Sequence, residues 1–238
     1  MALFYGYGYR YFDPTYLLVL IGVVLSLLAS AKVKSTFAKY SNVRSMSGYT
    51  GAQAAQRILQ NAGIYDVTVQ HISGNLTDHY DPRSKVLRLS DSVYGSTSVA
   101  AIGVAAHECG HAIQHNKGYA PLKFRTTLVP VANFGATLSW PLIIIGIFLG
   151  GAQPLITLGI LLFSAAVLFQ LVTLPVEFNA SNRAVKILAG SGILAENEVE
   201  KTRKVLSAAA LTYVAAAAAS ILQLLRLIIL FGGRRNRD

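Results

Sequence analysis

Cysteine is almost missing from this chain: Cys109 is the one cysteine among 238 residues, so no internal disulfide framework can form. Acids are scarce as well, eleven Asp and Glu against 21 Lys and Arg, for a net charge of +10. No DNA- or RNA-binding motif accompanies the surplus of cations, so no nucleic-acid partner is expected. Charged residues make up only 13% of the chain, hydrophobic ones 53%, and mean hydropathy is +0.46. That is too apolar for an ordinary soluble domain and points to membrane spans. On such a protein, excess Lys and Arg marks loops on the cytoplasmic face.

The long apolar runs lie at Tyr16–Ala31, Leu128–Leu149 and Leu155–Leu174, and an Ala-rich, weaker one at Ala208–Phe231 contains Arg226. A charge inside a span is costly, so Arg226 is expected to snorkel, to face protein or to mark a tilted end. Gly150 to Pro154 is a short turn between the second and third runs, which makes them a transmembrane hairpin whose ends return to one side. Ahead of the first run, Met1–Tyr11 is rich in Tyr and Gly and reads equally as an interfacial anchor or a loose tail. Ala29-Ser30-Ala31 has the small-x-small look of a signal cleavage site. Against cleavage stand the few cations before the run and Lys32, Lys34, Lys39 and Arg44 after it. An uncleaved anchor with its N-terminus outside is the reading. Four spans would then put the basic tail, Arg234, Arg235 and Arg237, outside, against the charge bias.

The polar stretch Lys32–Arg125 holds eleven cations and five carboxylates. Within it, Thr50–Ala62 reads as a helix with Thr50 as N-cap and Gly63 as stop. Asp66–Ile72 and Lys85–Ser90 read as strands, with the turn-rich Leu76–Arg83 between them. Val86, Leu87, Arg88, Leu89 and Ser90 form a candidate sheet edge to which an extended peptide could add by backbone hydrogen bonds; an ordinary packed strand is the equal alternative.

Next comes Val104-Ala-Ala-His107-Glu108-Cys109-Gly110-His111-Ala112, an H-E-x-x-H pattern in an apolar run with no proline from Ser90 to Tyr119. On a helix, residues four apart share a face, so His107 and His111 can grip one metal ion. Glu108, one residue round, can take a proton from a water that such an ion activates. Cys109 reads as a small buried hydrophobe.

Catalytic zinc usually takes three protein ligands. No histidine follows His115, so a three-histidine site built downstream is excluded, and the set is His-His-carboxylate or draws on an upstream residue. Among the later acids, Glu177 stands where the third run ends, on the side to which the hairpin returns. Glu196, Glu198 and Glu200 read as a solvated helix start. His71 and His115 read as surface or capping residues. For an oxyanion helper, Tyr213 and His79 are candidates, each against a plain structural role.

The stretches Val99–Gln114, Leu76-Thr-Asp-His-Tyr-Asp-Pro82 and Leu174-Pro-Val-Glu-Phe-Asn-Ala-Ser181 resemble those of the YugP-type neutral zinc metallopeptidases of bacteria, over nearly the whole chain. More distantly, the pattern resembles gluzincin membrane proteases of the CAAX-prenyl-protease type. That resemblance implies a Glu opening a later helix as third ligand, which maps onto Glu177. It also implies an acid four residues on, where this chain has Ser181; the nearer family carries one two residues on, where this chain has Asn179. Either side chain could accept from an imidazole N–H without adding charge.

The expectation is a mainly α, integral membrane protein with three to four transmembrane helices and a zincin-like helical metalloprotease domain carrying a small β-sheet. Its segments are 1–31, 32–127, 128–174, 175–206 and 207–238. It would be a multi-pass cell-membrane endopeptidase with one Zn²⁺ per chain on His107, His111 and Glu177, Glu108 as base, and its active site on the cytoplasmic side. A protein or peptide substrate, membrane proteins included, and the lipid bilayer are the expected partners, and a homo-oligomer is compatible. The competing readings are a non-catalytic membrane scaffold and a structural-zinc protein. The first leaves two buried histidines and a glutamate unexplained, and the second usually needs four ligands, often cysteines.

Overall fold

The computed structural model describes residues 13–232; the aromatic head and the Arg234–Arg237 tail lie outside the described residues. In chain order come α1 (Tyr16–Ser41), α2 (Gly51–Asn61), β1 (Thr68–His71), β2 (His79–Asp81), β3 (Val86–Leu89), α3 (Val99–Asn116), α4 (Ala120–Phe148), α5 (Gln153–Gly190) and α6 (Glu196–Phe231). The helices α1, α4, α5 and α6 are long and apolar enough to cross a membrane. The weaker fourth run is therefore a full candidate span, and each helix continues well past its apolar run into charged sequence.

The chain forms two compact units. One comprises the residues up to Leu27, Pro130–Gln170 and those from Ala215 on; the other comprises Leu28–Val129 and Leu171–Val214. In the first, small residues let helix backbones approach, as in membrane bundles generally. A Cβ on Gly135 of α4 would fall 2.6 Å from the Leu162 carbonyl oxygen of α5, and one on Gly22 of α1 would fall 3.1 Å from Ala219 of α6. The outward side chains of α1, among them Leu20, Ile21, Leu27 and Leu28, are exposed and apolar, as lipid contact requires. Arg226 faces protein: its Nη2 lies 3.3 Å from Asp13 Oδ2, its Nε donates to Thr15 Oγ1 at 3.2 Å, and its guanidinium covers the Tyr16 ring at 4.2 Å. That pairing offsets the cost of a cation in an apolar helix.

The second unit packs α2, α3 and a three-stranded sheet around one core that includes Ile58, Leu87, Leu89, Ile102, Ala105, Leu188 and Ile193. Thr50 and Gln53 close a reciprocal capping box at the start of α2, and Gly63, at φ 70°, follows its end. The sheet order is β1-β3-β2, with β1 parallel and β2 antiparallel to β3. The strand expected at Lys85–Ser90 is present, and of its two readings the packed strand holds and the sheet edge at Val86–Ser90 does not. β3 is the central strand, paired on both sides, with Val86, Leu87 and Leu89 buried, so it has no free edge to offer. The sheet's edges belong to β1 and β2, and β2 lies inside the stretch read as turns. Ser90 is clamped as well: its amide and its hydroxyl donate to the Asp78 carboxylate at 2.7 and 2.9 Å.

One of the three glutamates at the start of α6 also departs from expectation. Glu198 is buried, because it accepts from the Met46 amide at 2.8 Å and the Ala195 amide at 2.9 Å, two donors that would otherwise lack partners. Glu196 and Glu200 stay exposed.

Candidate metal centre

Ser98 caps α3, its hydroxyl accepting from the Ala101 amide at 3.2 Å. The helix is seated on α6 through Gly103, which abuts Thr202, whose hydroxyl donates to the Val99 carbonyl at 2.9 Å. It is seated on α5 through Gly110: a Cβ there would fall 2.7 Å from the Ala180 carbonyl oxygen. The facing stripe of α5 is Val176, Ala180, Ala184 and Leu188, at helical spacing and fully buried. Backbone-to-backbone contact at Gly110 and Ala180 brings the side chains beside them, His111 and Glu177, within reach.

Three atoms then meet. His107 Nε2 and His111 Nε2 are 3.2 Å apart, and each is 3.3 Å from Glu177 Oε2. They are the three residues whose donor atoms could hold a metal among the described residues. Tetrahedral zinc with N and O bonds of about 2.0–2.1 Å holds its ligands roughly 3.3 Å apart, the spacing seen here.

The outer partners orient these rings. Arg183 Nε, which can only donate, reaches Asn179 Oδ1 at 2.7 Å. The same oxygen accepts from Gln114 Nε2 at 3.0 Å, and that amide also donates to the Val176 carbonyl at 2.8 Å. Gln114 must therefore turn its oxygen to His111 Nδ1, 3.1 Å away, which places the ring proton on Nδ1 and the lone pair on Nε2. Ser181 Oγ lies 3.1 Å from His107 Nδ1 and can accept in the same sense. Two imidazole lone pairs and a carboxylate facing one another at this range need a cation between them, and the donor set fits Zn²⁺.

Without the metal, a proton serves instead. Burial works against a charged His111, but the Glu177 hydrogen bond and the Glu108 charge outweigh it and raise its pKa. Burial also raises the pKa of Asp78, over the opposing Ser90 bonds and with the Glu108 charge adding to it, and it raises that of Cys109. Cys109 is fully buried against the Ala55 carbonyl and stays a thiol.

Beside the three ligand candidates opens a pocket of about 310 Å³, lined by Glu108, His111 and Glu177 together with Asp78, His79, Tyr80, Arg125 and Tyr213. Both oxyanion candidates, His79 and Tyr213, are therefore on its wall. His79 is held by its neighbours, Nδ1 at 2.9 Å from the Thr77 carbonyl and Nε2 at 3.4 Å from Arg88 Nη1. Asn179 acts at one remove: it touches Gln114, not an imidazole. Val86, Leu87, Leu89 and Ser90 are not on the pocket wall. His71 pairs with Asp91 at 2.6 Å, and His115 Nδ1 bonds the Tyr80 hydroxyl at 2.9 Å, both away from the three ligands.

Gln114 and Arg125 also belong to the site. Gln114 could have been found, because it stands three positions after His111 on the same helix face. Arg125 could not: its Nη1 reaches Glu177 Oε1 at 3.4 Å only because of the fold.

The sequence profile of a family described as "Putative neutral zinc metallopeptidase" matches residues 15–232. The chain belongs to that family. It is also 52% identical over 221 residues to the "Putative membrane protease YugP" of Bacillus subtilis (strain 168), a match covering 93% of this chain and 98% of that protein. No solved structure matches. Membership implies zinc, and His107, His111 and Glu177 are the group that could hold it.

Proposed function

We propose that the protein is a membrane-bound zinc endopeptidase whose ion is held by His107, His111 and Glu177 and whose general base is Glu108. The observation that carries this is the 3.2–3.3 Å triangle of ligand atoms with a second glutamate on the wall of the adjoining pocket. Zinc, when bound, supplies a Lewis acid for the scissile carbonyl and lowers the pKa of the attacking water.

The remaining steps fall to side chains. Glu108 takes the proton from the water as its oxygen adds to the carbonyl carbon. It then delivers that proton to the amine nitrogen as the C–N bond breaks. Arg125 occupies Glu177 Oε1 and leaves Oε2 for the ion. To Tyr213, which lines the pocket, we assign the donor to the developing oxyanion. The substrate lies extended along β2, whose His79 and Tyr80 line the same pocket, and pairs with that strand by backbone hydrogen bonds.

The cation-rich ends of α1 and α6, with Lys32, Lys34, Lys39, Lys201, Arg203 and Lys204, favour the cytoplasmic side for the catalytic unit. Membrane proteins or unfolded segments close to the bilayer are then the natural substrates.

The test is the full-length protein in detergent, assayed for zinc and for cleavage of casein. Glu108→Gln keeps stoichiometric zinc and loses about 10²–10⁴-fold in rate. His107→Ala and Glu177→Ala lose the metal. Zinc without turnover in the unaltered protein supports a structural ion, and no zinc at all supports a scaffold.

A further inference from the structure

Outside the metal centre, the second unit carries a cleft of about 620 Å³ between α1 and α6, with Lys32 and Lys39 on one wall and Arg203 and Lys204 on the other. The single acid in its lining is Glu200, and that carboxylate is engaged by Lys204 at 2.8 Å. Four cations thus converge on one concave space with a single counter-charge. Lys32, Lys39 and Arg203 are exposed, Lys39 with its ammonium 5.5 Å from the Tyr40 ring centroid, and none of the three is paired with an acid among the described residues. Cations left to repel one another cost free energy that a bound anion returns.

The cleft has a polarity along its length. Preceding Lys32, α1 is uncharged and mostly apolar back to Tyr16, and following Ser207, α6 is mostly apolar and carries no charge but Arg226 out to Phe231. Ala208 and Leu211, the first residues of that α6 stretch, already form part of the lining. A ligand filling this space is therefore anionic at one end and apolar at the other. Free phosphate would use the cations and leave Ala208 and Leu211 without a partner.

We infer that the α1–α6 cleft binds the headgroup phosphate of an anionic phospholipid, with the glycerol and acyl end leaving past Leu211. Basic recesses between membrane helices at headgroup depth bind anionic lipids on this principle. Lys and Arg divide the work: the lysines supply point charge, and Arg203 supplies a planar fork that can grip two phosphate oxygens.

The test uses the full-length protein, delipidated in a neutral detergent and examined by native mass spectrometry. It is titrated in parallel with dihexanoyl-phosphatidylglycerol, dihexanoyl-phosphatidylcholine and inorganic phosphate. One phosphatidylglycerol per chain is expected at concentrations at least tenfold below those at which the other two bind. The triple variant Lys32→Gln, Lys39→Gln, Arg203→Gln weakens phosphatidylglycerol binding at least tenfold. A control that removes as much charge elsewhere, Arg57→Gln, Lys117→Gln, Lys186→Gln, leaves it unchanged; all six positions are exposed, so folding is preserved. Equal binding by the triple variant and the unaltered chain overturns the proposal. So does phosphatidylcholine or inorganic phosphate binding as tightly as phosphatidylglycerol, or equal loss in the control.

Discussion

Gln114 bonds His111 from behind, its Oε1 3.1 Å from Nδ1, and in doing so decides which ring nitrogen faces the ligand triangle. The amide cannot flip, because its nitrogen is held by the Val176 carbonyl and Asn179. Gln114→Leu removes that restraint and leaves the His111 Nδ1 proton without its acceptor, a loss of about 1–3 kcal/mol of stability. Zinc affinity is expected to fall about 10–100-fold. Competition against a chromogenic chelator measures it; unchanged affinity would show that the outer amide does not tune the site.

Much of this centre could be anticipated. His107 and His111 stand four apart in a proline-free, mostly apolar run, and of the five acids that follow, Glu177 is the one at the end of the third apolar run. What escaped has a common cause. β2 is a strand because β3 pairs with it, although its three residues sit among turn formers. Glu198 turns inward because it joins a local cap bond from the Ala195 amide to one from the Met46 amide, 152 residues away. Arg125 meets Glu177 through tertiary packing alone. Local pattern records periodicity and caps; it does not record a partner dozens of residues away.

Acidity should release the metal. Zinc binds neutral imidazole, so protons compete with it. In the metal-free site, burial opposes the His111 cation, but Glu177 and Glu108 prevail and raise its pKa. The competition is therefore met at higher pH than for an ordinary histidine near about 6.5. Zinc affinity is expected to hold on the alkaline side and to begin to fall as pH drops through the raised value. Chelator competition at a series of pH values checks this, and an affinity that does not change between about pH 8 and pH 5 would contradict it.

Arg125 should matter most when the ion is gone. Glu177 is 3% exposed, and zinc and Arg125 share the task of balancing its charge. Arg125→Ala is expected to lower the melting temperature of the chelator-treated protein more than that of the zinc-loaded protein, by a few degrees (about 2–4 °C per kcal/mol at this size). Equal losses in the two states would show that the guanidinium does not stabilise the carboxylate.

Gly110 sets the spacing between the helices that carry the ligands. Gly110→Val places side-chain atoms where the Ala180 carbonyl stands, 2.7 Å from the ideal Cβ position, so α3 and α5 must part. The expected cost is about 1–3 kcal/mol in stability together with loss of stoichiometric zinc. Thermal unfolding and metal analysis on the same sample report both; full zinc occupancy would mean that the helices need not touch for the ligands to meet.

The edge presented by β2 is three residues long. So short a rail can engage only a couple of backbone amides, and each must arrive already straightened and unclaimed by its own fold. Tightly built proteins have no such slack to lend, whereas a frayed terminus, a stranded loop or a misassembled segment does. Selection at this rail would rest on how far a chain has come undone, with the identity of its side chains a secondary matter.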